Sequence, residues 1–184
     1  MKVHIVGTSG SGKSRLAARV AEALGVPRLE LDAVFWDADW TLRDLDEAHR
    51  MILDFVRAHP DGWVMDGNWA SRLGDVLDPP HEPDVIVWID HSRLRTVGRV
   101  MRRTARRGIL REELWHGNHE RPSSWLRRDP EENIVLWSWT QHPVARARME
   151  QRLADGEPIV RLRGQRAVDA WVRAIHGAAD VARG

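Results

Sequence analysis

The chain contains no cysteine and no tyrosine, and of its 28 basic residues only Lys2 and Lys13 are lysines. Without cysteine there is no disulfide, no thiolate nucleophile and no cysteine-ligated zinc, which fits a reducing compartment. Long apolar runs are also missing. Outside alanine-rich stretches the longest is Val85 to Ile89, far too short to span a bilayer. The apolar stretch Val3 to Val6 is too short for the hydrophobic region of a signal peptide, so a cytoplasmic protein with no membrane partner is expected. The remaining composition is ordinary for a folded chain: 184 residues, 42% hydrophobic and 30% charged, point to one globular domain over 1–184 and exclude wholesale disorder.

The scarcity of lysine reads first as a coding bias toward arginine, which makes a retained lysine worth attention. The net charge of +1 hides a local excess: between His91 and Arg128 there are eleven arginines against Glu112, Glu113 and Glu120. That stretch carries +8 and leaves the rest of the chain acidic, so one segment is suited to meeting anions.

Strand and helix patterns alternate. Strands are expected at Lys2 to Val6, Arg28 to Leu31, Trp63 to Met65, Val85 to Ile89 and Pro158 to Arg163. Between them, Gly12 to Leu24 has one apolar helical face and stops at Gly25 and Pro27. Thr41 with Asp44 resembles a capping box, opening a helix with Leu42, Leu45, Ile52 and Phe55 inward and closing at Pro60-Asp61-Gly62. A basic helix from Ser92 to Arg107 should end at Gly108. Asp129-Pro130-Glu131-Glu132 marks another helix start, and Pro143 should kink or break that helix. A last helix has Ala167, Val168, Trp171, Val172 and Ile175 on its inner face. Five strands separated by helices predict an α/β fold, a five-stranded parallel sheet covered on both faces with ligands at the carboxyl ends of its strands.

The strongest chemical signal is Gly7-Thr8-Ser9-Gly10-Ser11-Gly12-Lys13-Ser14 at the end of the first strand, the G-x-x-x-x-G-K-[ST] pattern of a P-loop. In such a loop Gly7, Ser9, Gly10, Ser11 and Gly12 let backbone N–H groups close on phosphate oxygens, and the next helix aims its positive end at them. Lys13 would reach the β- and γ-phosphates of ATP and Ser14 would ligate Mg²⁺. No G-x-G-x-x-G register fits these glycines, which excludes a dinucleotide fingerprint.

Phosphoryl transfer needs a carboxylate near the metal. Asp66 ends the third strand and is favoured over Asp90, which ends the fourth and is better read as part of the turn into the next helix. Asp32, after the second strand, is placed to face an acceptor hydroxyl, with a cap or turn role as the alternative. His116 and His119 beside Glu112 and Glu113 have metal-ligand spacing, against which Gly117 interrupts the helix.

The loop, Leu31-Asp32-Ala33-Val34-Phe35-Trp36, Trp40, Met65-Asp66-Gly67-Asn68-Trp69, the arginine-rich helix, Glu113-Leu114-Trp115-His116-Gly117-Asn118 and Val160-Arg161-Leu162 together resemble bacterial adenylate-kinase-related P-loop proteins, often labelled DNA topology modulation proteins. The resemblance spans nearly the whole chain. It implies a nucleoside-monophosphate-kinase-like fold with an acceptor-binding region at about 32–60 and a lid at about 99–128. By that likeness Arg99 and Arg103, with Arg106 and Arg107 nearby, correspond to arginines that pack on adenine and grip phosphates. Two departures stand out: His119 follows Asn118 where the family is expected to have arginine, with Arg121 two residues further on, and no arginine closely follows Asp32 to hold an acceptor phosphate. An aspartate with Trp36, Trp40 and Trp69 nearby suits an acceptor with a hydroxyl and an apolar or planar body, such as a nucleoside or another metabolite. The expectation is therefore a Mg-ATP-dependent kinase with Lys13, Asp32 and Arg103 catalytic, Arg99 on the nucleotide and Ser14 and Asp66 on the metal. The alternative is a nucleotide-gated regulatory protein that binds DNA through its arginine-rich segment.

Overall fold

The computed structural model describes residues 1–110, 112–119, 129 and 133–183. In chain order these form β1 (Lys2–Gly7), α1 (Lys13–Leu24), β2 (Arg28–Glu30), α2 (Leu31–Phe35), α3 (Leu45–Ala58), β3 (Trp63–Asp66), α4 (Ala70–Leu73), β4 (Val85–Asp90), α5 (Arg93–Leu110), α6 (Ile134–Ala154), β5 (Ile159–Arg163) and α7 (Gly164–Arg183). The strands make one sheet in the order β2-β3-β1-β4-β5, every pair parallel. The chain has the P-loop kinase-like α/β fold.

Alternation along the strands sorts the core into two faces. Val3 and Ile5 of β1, with Val87 and Ile89 of β4, pack against Leu16, Ala17 and Val20 of α1 and Val168 and Val172 of α7. On the opposite face Val6, Ile86 and Trp88 meet Met149 of α6, while Trp63 and Met65 of β3 meet Leu31, Phe35 and the Ala48, Ile52, Val56 stripe of α3. β1 is buried between two neighbours, so its carboxyl end opens at the middle of the sheet, where the next loop begins.

Several local expectations are corrected. The second strand stops at Glu30, and Leu31–Phe35 is a short helix. Asp44, not Thr41, caps α3, accepting the Glu47 N–H at 3.0 Å, and the Thr41 hydroxyl donates to the Ala38 carbonyl. Leu42 and Leu45 are 51% and 40% exposed rather than inward, because the buried stripe of α3 begins a turn later at Ala48. α5 runs through Gly108 to Leu110, a tolerated glycine that costs about 1 kcal/mol relative to alanine. Asn133 caps α6 in place of Asp129, accepting from Val135 and Leu136 N–H, and the helix continues through Pro143. The carbonyl that Pro143 leaves without a donor is that of Trp139, an exposed residue where water can serve it. Arg111, the 120–128 part of the expected lid with Arg121, and the Pro130-Glu131-Glu132 helix start lie outside the described residues.

His4, in the middle of β1, is buried and donates from Nε2 to the Gly67 carbonyl at 3.1 Å. Burial holds its pKa down to about 4. Between pH 6.5 and about 4 the unfolded chain takes up a proton that the folded chain refuses, so stability is full above pH 6.5 and falls as pH drops through that window. The contribution amounts to about 3 kcal/mol. Urea unfolding at pH 7, 6 and 5 should show this slope in the natural chain and a shallower one in His4→Gln; equal slopes would contradict it.

Candidate active site

The loop from Gly7 to Ser14 joins β1 to α1, and its shape explains its glycines. Gly10 has φ +77°, and a Cβ there would collide with the Thr96 carbonyl oxygen of α5; Gly12 has φ +93° and caps α1. The Thr8 carbonyl accepts the Ser11 N–H at 3.0 Å, and the free N–H groups of the first turn of α1 point at the loop's hollow. Lys13 is half-buried at the head of that helix.

The loop is held at its start by a residue whose role the sequence did not disclose. Asn68 accepts the Gly7 N–H at 2.9 Å and donates to the Gly7 carbonyl at 2.6 Å, so one side-chain amide continues the β3–β1 ladder past the end of β3. Gly67 N–H adds a bond to the Ile5 carbonyl at 3.2 Å, and His4 secures the Gly67 carbonyl. Asn68 is part of the Asp66-Gly67-Asn68-Trp69 motif, but nothing in spacing says that the turn after β3 lies beside the end of β1.

Two residues before Asn68, Asp66 is 1% exposed. Burial pushes its carboxyl up from the usual range, and the nearby Ser14 hydroxyl and the Arg28 guanidinium bonded to it pull it back. Arg28 donates from Nε at 2.9 Å and its terminal nitrogen lies 2.8 Å from the same Oδ1. The structure thus brings Ser14 and Asp66 together, with Arg28 as a third member that sequence reading missed. A P-loop hydroxyl beside a strand-end carboxylate is the oxygen donor set that suits Mg²⁺. Asp90 is committed elsewhere: Arg161 donates to its Oδ2 from two nitrogens at 2.9 and 2.6 Å, which ties β4 to β5 rather than forming the expected turn.

The arginines of α5 reach back to the loop. Arg99 donates to the Ser11 carbonyl at 3.2 Å and to Gln165 Oε1 at 3.1 Å, and Arg103 donates to Ser9 Oγ at 3.3 Å. Arg106 and Arg107 instead pair with Glu112. Beside the loop, between α1, β4, α5 and α7, lies a cavity of about 450 Å³ lined by Ser11, Gly12, His91, Arg99 and Gln165 among others.

Asp32 sits in the first turn of α2, where its Oδ1 accepts the Trp69 indole N–H at 2.7 Å. The tryptophans expected to surround an acceptor contact one another: Trp36 lies edge-on to both Trp69 and Trp40, with ring centres 5.4 and 5.7 Å away. Trp40 continues the chain to Trp115 at 6.4 Å.

Trp115 belongs to a turn that matches the one bearing Trp40. In Ala38 to Thr41 and in Trp115 to Asn118 the fourth residue's N–H returns to the first carbonyl at 3.2 Å. The residue before each turn donates to the carbonyl of the turn's last residue, Asp37 to Thr41 at 2.8 Å and Leu114 to Asn118 at 2.7 Å. The inner residues of both are left-handed, Asp39 and Trp40 at φ 57°, His116 at 56° and Gly117 at 77°, as a type I′ turn requires. The two turns dock through buried Asn118, which accepts the Trp40 N–H at 3.0 Å and donates to the Asp37 carbonyl at 2.8 Å. The Trp40 indole N–H donates to the His119 carbonyl at 3.2 Å. His116 donates to the Ala33 carbonyl at 2.9 Å and His119 to the Glu112 carbonyl at 3.2 Å; the pair is engaged with backbone, and no cluster of three or more His, Asp or Glu able to hold a metal occurs among the described residues.

No protein-family model matches the sequence, and no curated protein matches it either. Among solved structures, the fold is similar to a gluconokinase from Sinorhizobium meliloti 1021, with a TM-score of 0.55, 20% identity and coverage of 97% of this chain and 91% of that one. It is also similar to an uncharacterized protein from Eubacterium ventriosum ATCC 27560, with a TM-score of 0.52, 16% identity and 98% coverage of both chains. At these identities the likeness shows the fold.

Removing the Asn68 amide leaves the N–H and carbonyl of buried Gly7 without that partner. Asn68→Ala should cost about 1–3 kcal/mol and raise amide exchange across residues 7–12 in hydrogen-exchange mass spectrometry. Asn118→Ala should instead raise exchange in 36–43 and 112–119 together and leave residues 7–12 as they are.

Proposed function

We propose that this chain is a P-loop kinase, a single domain over 1–184 that transfers the terminal phosphoryl group of Mg-ATP to a small hydroxyl-bearing acceptor, a nucleoside or another metabolite. The observation that carries the reading is the junction of three parts at one end of the sheet: the Gly7–Ser14 loop at the head of α1, the buried Asp66 beside Ser14, and Arg99 and Arg103 of α5 bonded to the loop. The likeness to a gluconokinase supports kinase chemistry of this general kind, as does the resemblance to adenylate-kinase-related proteins.

In this reading the loop N–H groups and Lys13 cradle the phosphates, and Ser14 and Asp66 hold Mg²⁺, which when bound neutralises phosphate charge. Arg28 aims the buried Asp66 carboxylate and opposes the upward push that burial gives it. Arg103 balances the charge that spreads over the transferring group, and Arg99 lies alongside the base. Asp32, with Oδ1 fixed by the Trp69 indole, takes the acceptor's hydroxyl proton on Oδ2 while the new P–O bond forms at the γ-phosphorus and ADP leaves. Residues 32–60 form the acceptor side, and the described 112–119 part of the lid region docks over Trp40, where it would keep water from the transfer. The arginines of α5 that bond to the loop favour this reading over the DNA-binding alternative. No helix among the described residues is long and apolar enough to cross a membrane, and a cytoplasmic setting suits the reading.

Lys13→Ala should weaken Mg-ATP binding in calorimetry at least tenfold while leaving the melting temperature unchanged; unaltered affinity would sink the P-loop reading. Asp32→Asn should bind ATP as before yet lower transfer by about a hundredfold, measured on an acceptor found by screening hydroxyl-bearing metabolites and nucleosides for ATP consumption. Poor ATP binding by that variant would place Asp32 with the metal instead. Tight DNA binding that ATP enhances, with a steep salt dependence flattened by Arg103→Ala, would support the regulatory alternative.

A further inference from the structure

A second cavity, of about 440 Å³, lies on the face of the sheet opposite α1, between the segment that follows α4 and helix α6. One wall is the apolar cluster of Val6, Ile86, Trp88 and Met149. Leu73 and Leu77, from the α3 side of the core, line it as well. One end reaches Gly7 and Thr8, so a molecule held here rests against the start of the phosphate loop. Asp32, the residue placed on the acceptor's hydroxyl, does not line it.

His4 is a polar residue set into this lining, 6% exposed, with its Nε2 donating to the Gly67 carbonyl at 3.1 Å. A carbonyl only accepts, so Nε2 carries the proton of the neutral ring and Nδ1 is left as a bare lone pair. Nδ1 has no hydrogen-bond partner among the described residues, and it is not closed off as both ring nitrogens of His91 are. The cavity is the open space that His4 borders, so the lone pair faces into it. Burial keeps the ring neutral down to about pH 4, which leaves the lone pair in place throughout the neutral range. Water suits this point poorly, because the side chains flanking His4 on the same face, Val6, Met65 and Ile86, offer its remaining bonds nothing.

We propose that this cavity is a binding site for a small, neutral, mostly apolar molecule that donates one N–H or O–H hydrogen bond to His4 Nδ1. The walls set the apolar body, and the volume sets the size, since sites for small molecules run from about 300 to 1,000 Å³. The lone pair sets the polar end. A carboxylate or carbonyl oxygen directed at Nδ1 brings lone pair against lone pair, and an ammonium loses hydration that one imidazole nitrogen does not restore. The site goes beyond the phosphoryl-transfer reading and does not depend on it, because neither ATP nor Mg²⁺ enters the argument.

The test titrates the full chain with three probes of one bicyclic shape, indole, indene and benzofuran, while nuclear magnetic resonance follows the ¹⁵N signals of the histidine rings. The His4 signals are those missing from His4→Gln. Indole, whose N–H can donate to Nδ1, should bind and move the His4 Nδ1 signal upfield while the other histidines stay in place. Indene lacks the donor and benzofuran puts an oxygen lone pair where it was, so both should bind about tenfold more weakly or worse. Ala145→Phe, which fills the cavity from α6, should abolish indole binding and keep the His4 signals of the natural chain. Equal affinity of the natural chain for indole and indene would overturn the role of Nδ1 without recourse to any variant. Failure of indole to bind at millimolar concentration, or binding that leaves the His4 signals unmoved, would overturn the site, and the P-loop reading would stand.

Discussion

One carboxamide holds the phosphate-loop end of the sheet together. A parallel ladder ends where its strands diverge, and β1 and β3 must diverge because one enters a glycine loop and the other a tight turn. By bonding both the N–H and the carbonyl of Gly7, Asn68 postpones that divergence by one residue. The loop therefore leaves the sheet from a defined point, and Asp66, on the strand the amide extends, arrives opposite Ser14. Arg28 can then bridge from the neighbouring edge strand, and a carboxylate that burial would neutralise gains two polar partners.

The second organising contact is a pairing of like with like. Two type I′ turns far apart in sequence are locked by the amide of Asn118, which bonds the other turn's backbone much as a neighbouring strand would. This links the segment after α5 to the one after α2, and through Trp40, Trp36 and Trp69 to Asp32. The 112–119 segment is thus joined to the carboxylate beneath by packed rings and not through the sheet.

The parts legible in the sequence are those set by local pattern. Short strand patterns set off by turn and helix signals marked five strands, and a glycine-lysine-serine signature marked the loop, because both depend on neighbours along the chain. Helices of five and four residues, α2 and α4, have too few turns to show a period, and Pro143 passes inside α6 where the residue it leaves without a donor, Trp139, is exposed. Ser14 and Asp66 lie near each other, and Asp90 pairs with Arg161 rather than acting as the turn residue it resembled. The roles of Asn68, Arg28 and Asn118 were out of reach since each depends on which strands or turns lie side by side. The sheet order that puts β3 next to β1 is a property of packing, and no spacing along the chain encodes it.

The ring chain has an optical consequence. With ten tryptophans and no tyrosine, the near-ultraviolet spectrum of this protein is almost wholly an indole spectrum. Trp69, Trp36, Trp40 and Trp115 stand nearly perpendicular to their neighbours at 5.4 to 6.4 Å, close enough for their excited states to mix. Trp115 alone of the four sits on the 112–119 segment, so undocking that segment shortens a coupled array from four chromophores to three. Circular dichroism thus follows the motion of this part of the molecule with no label attached.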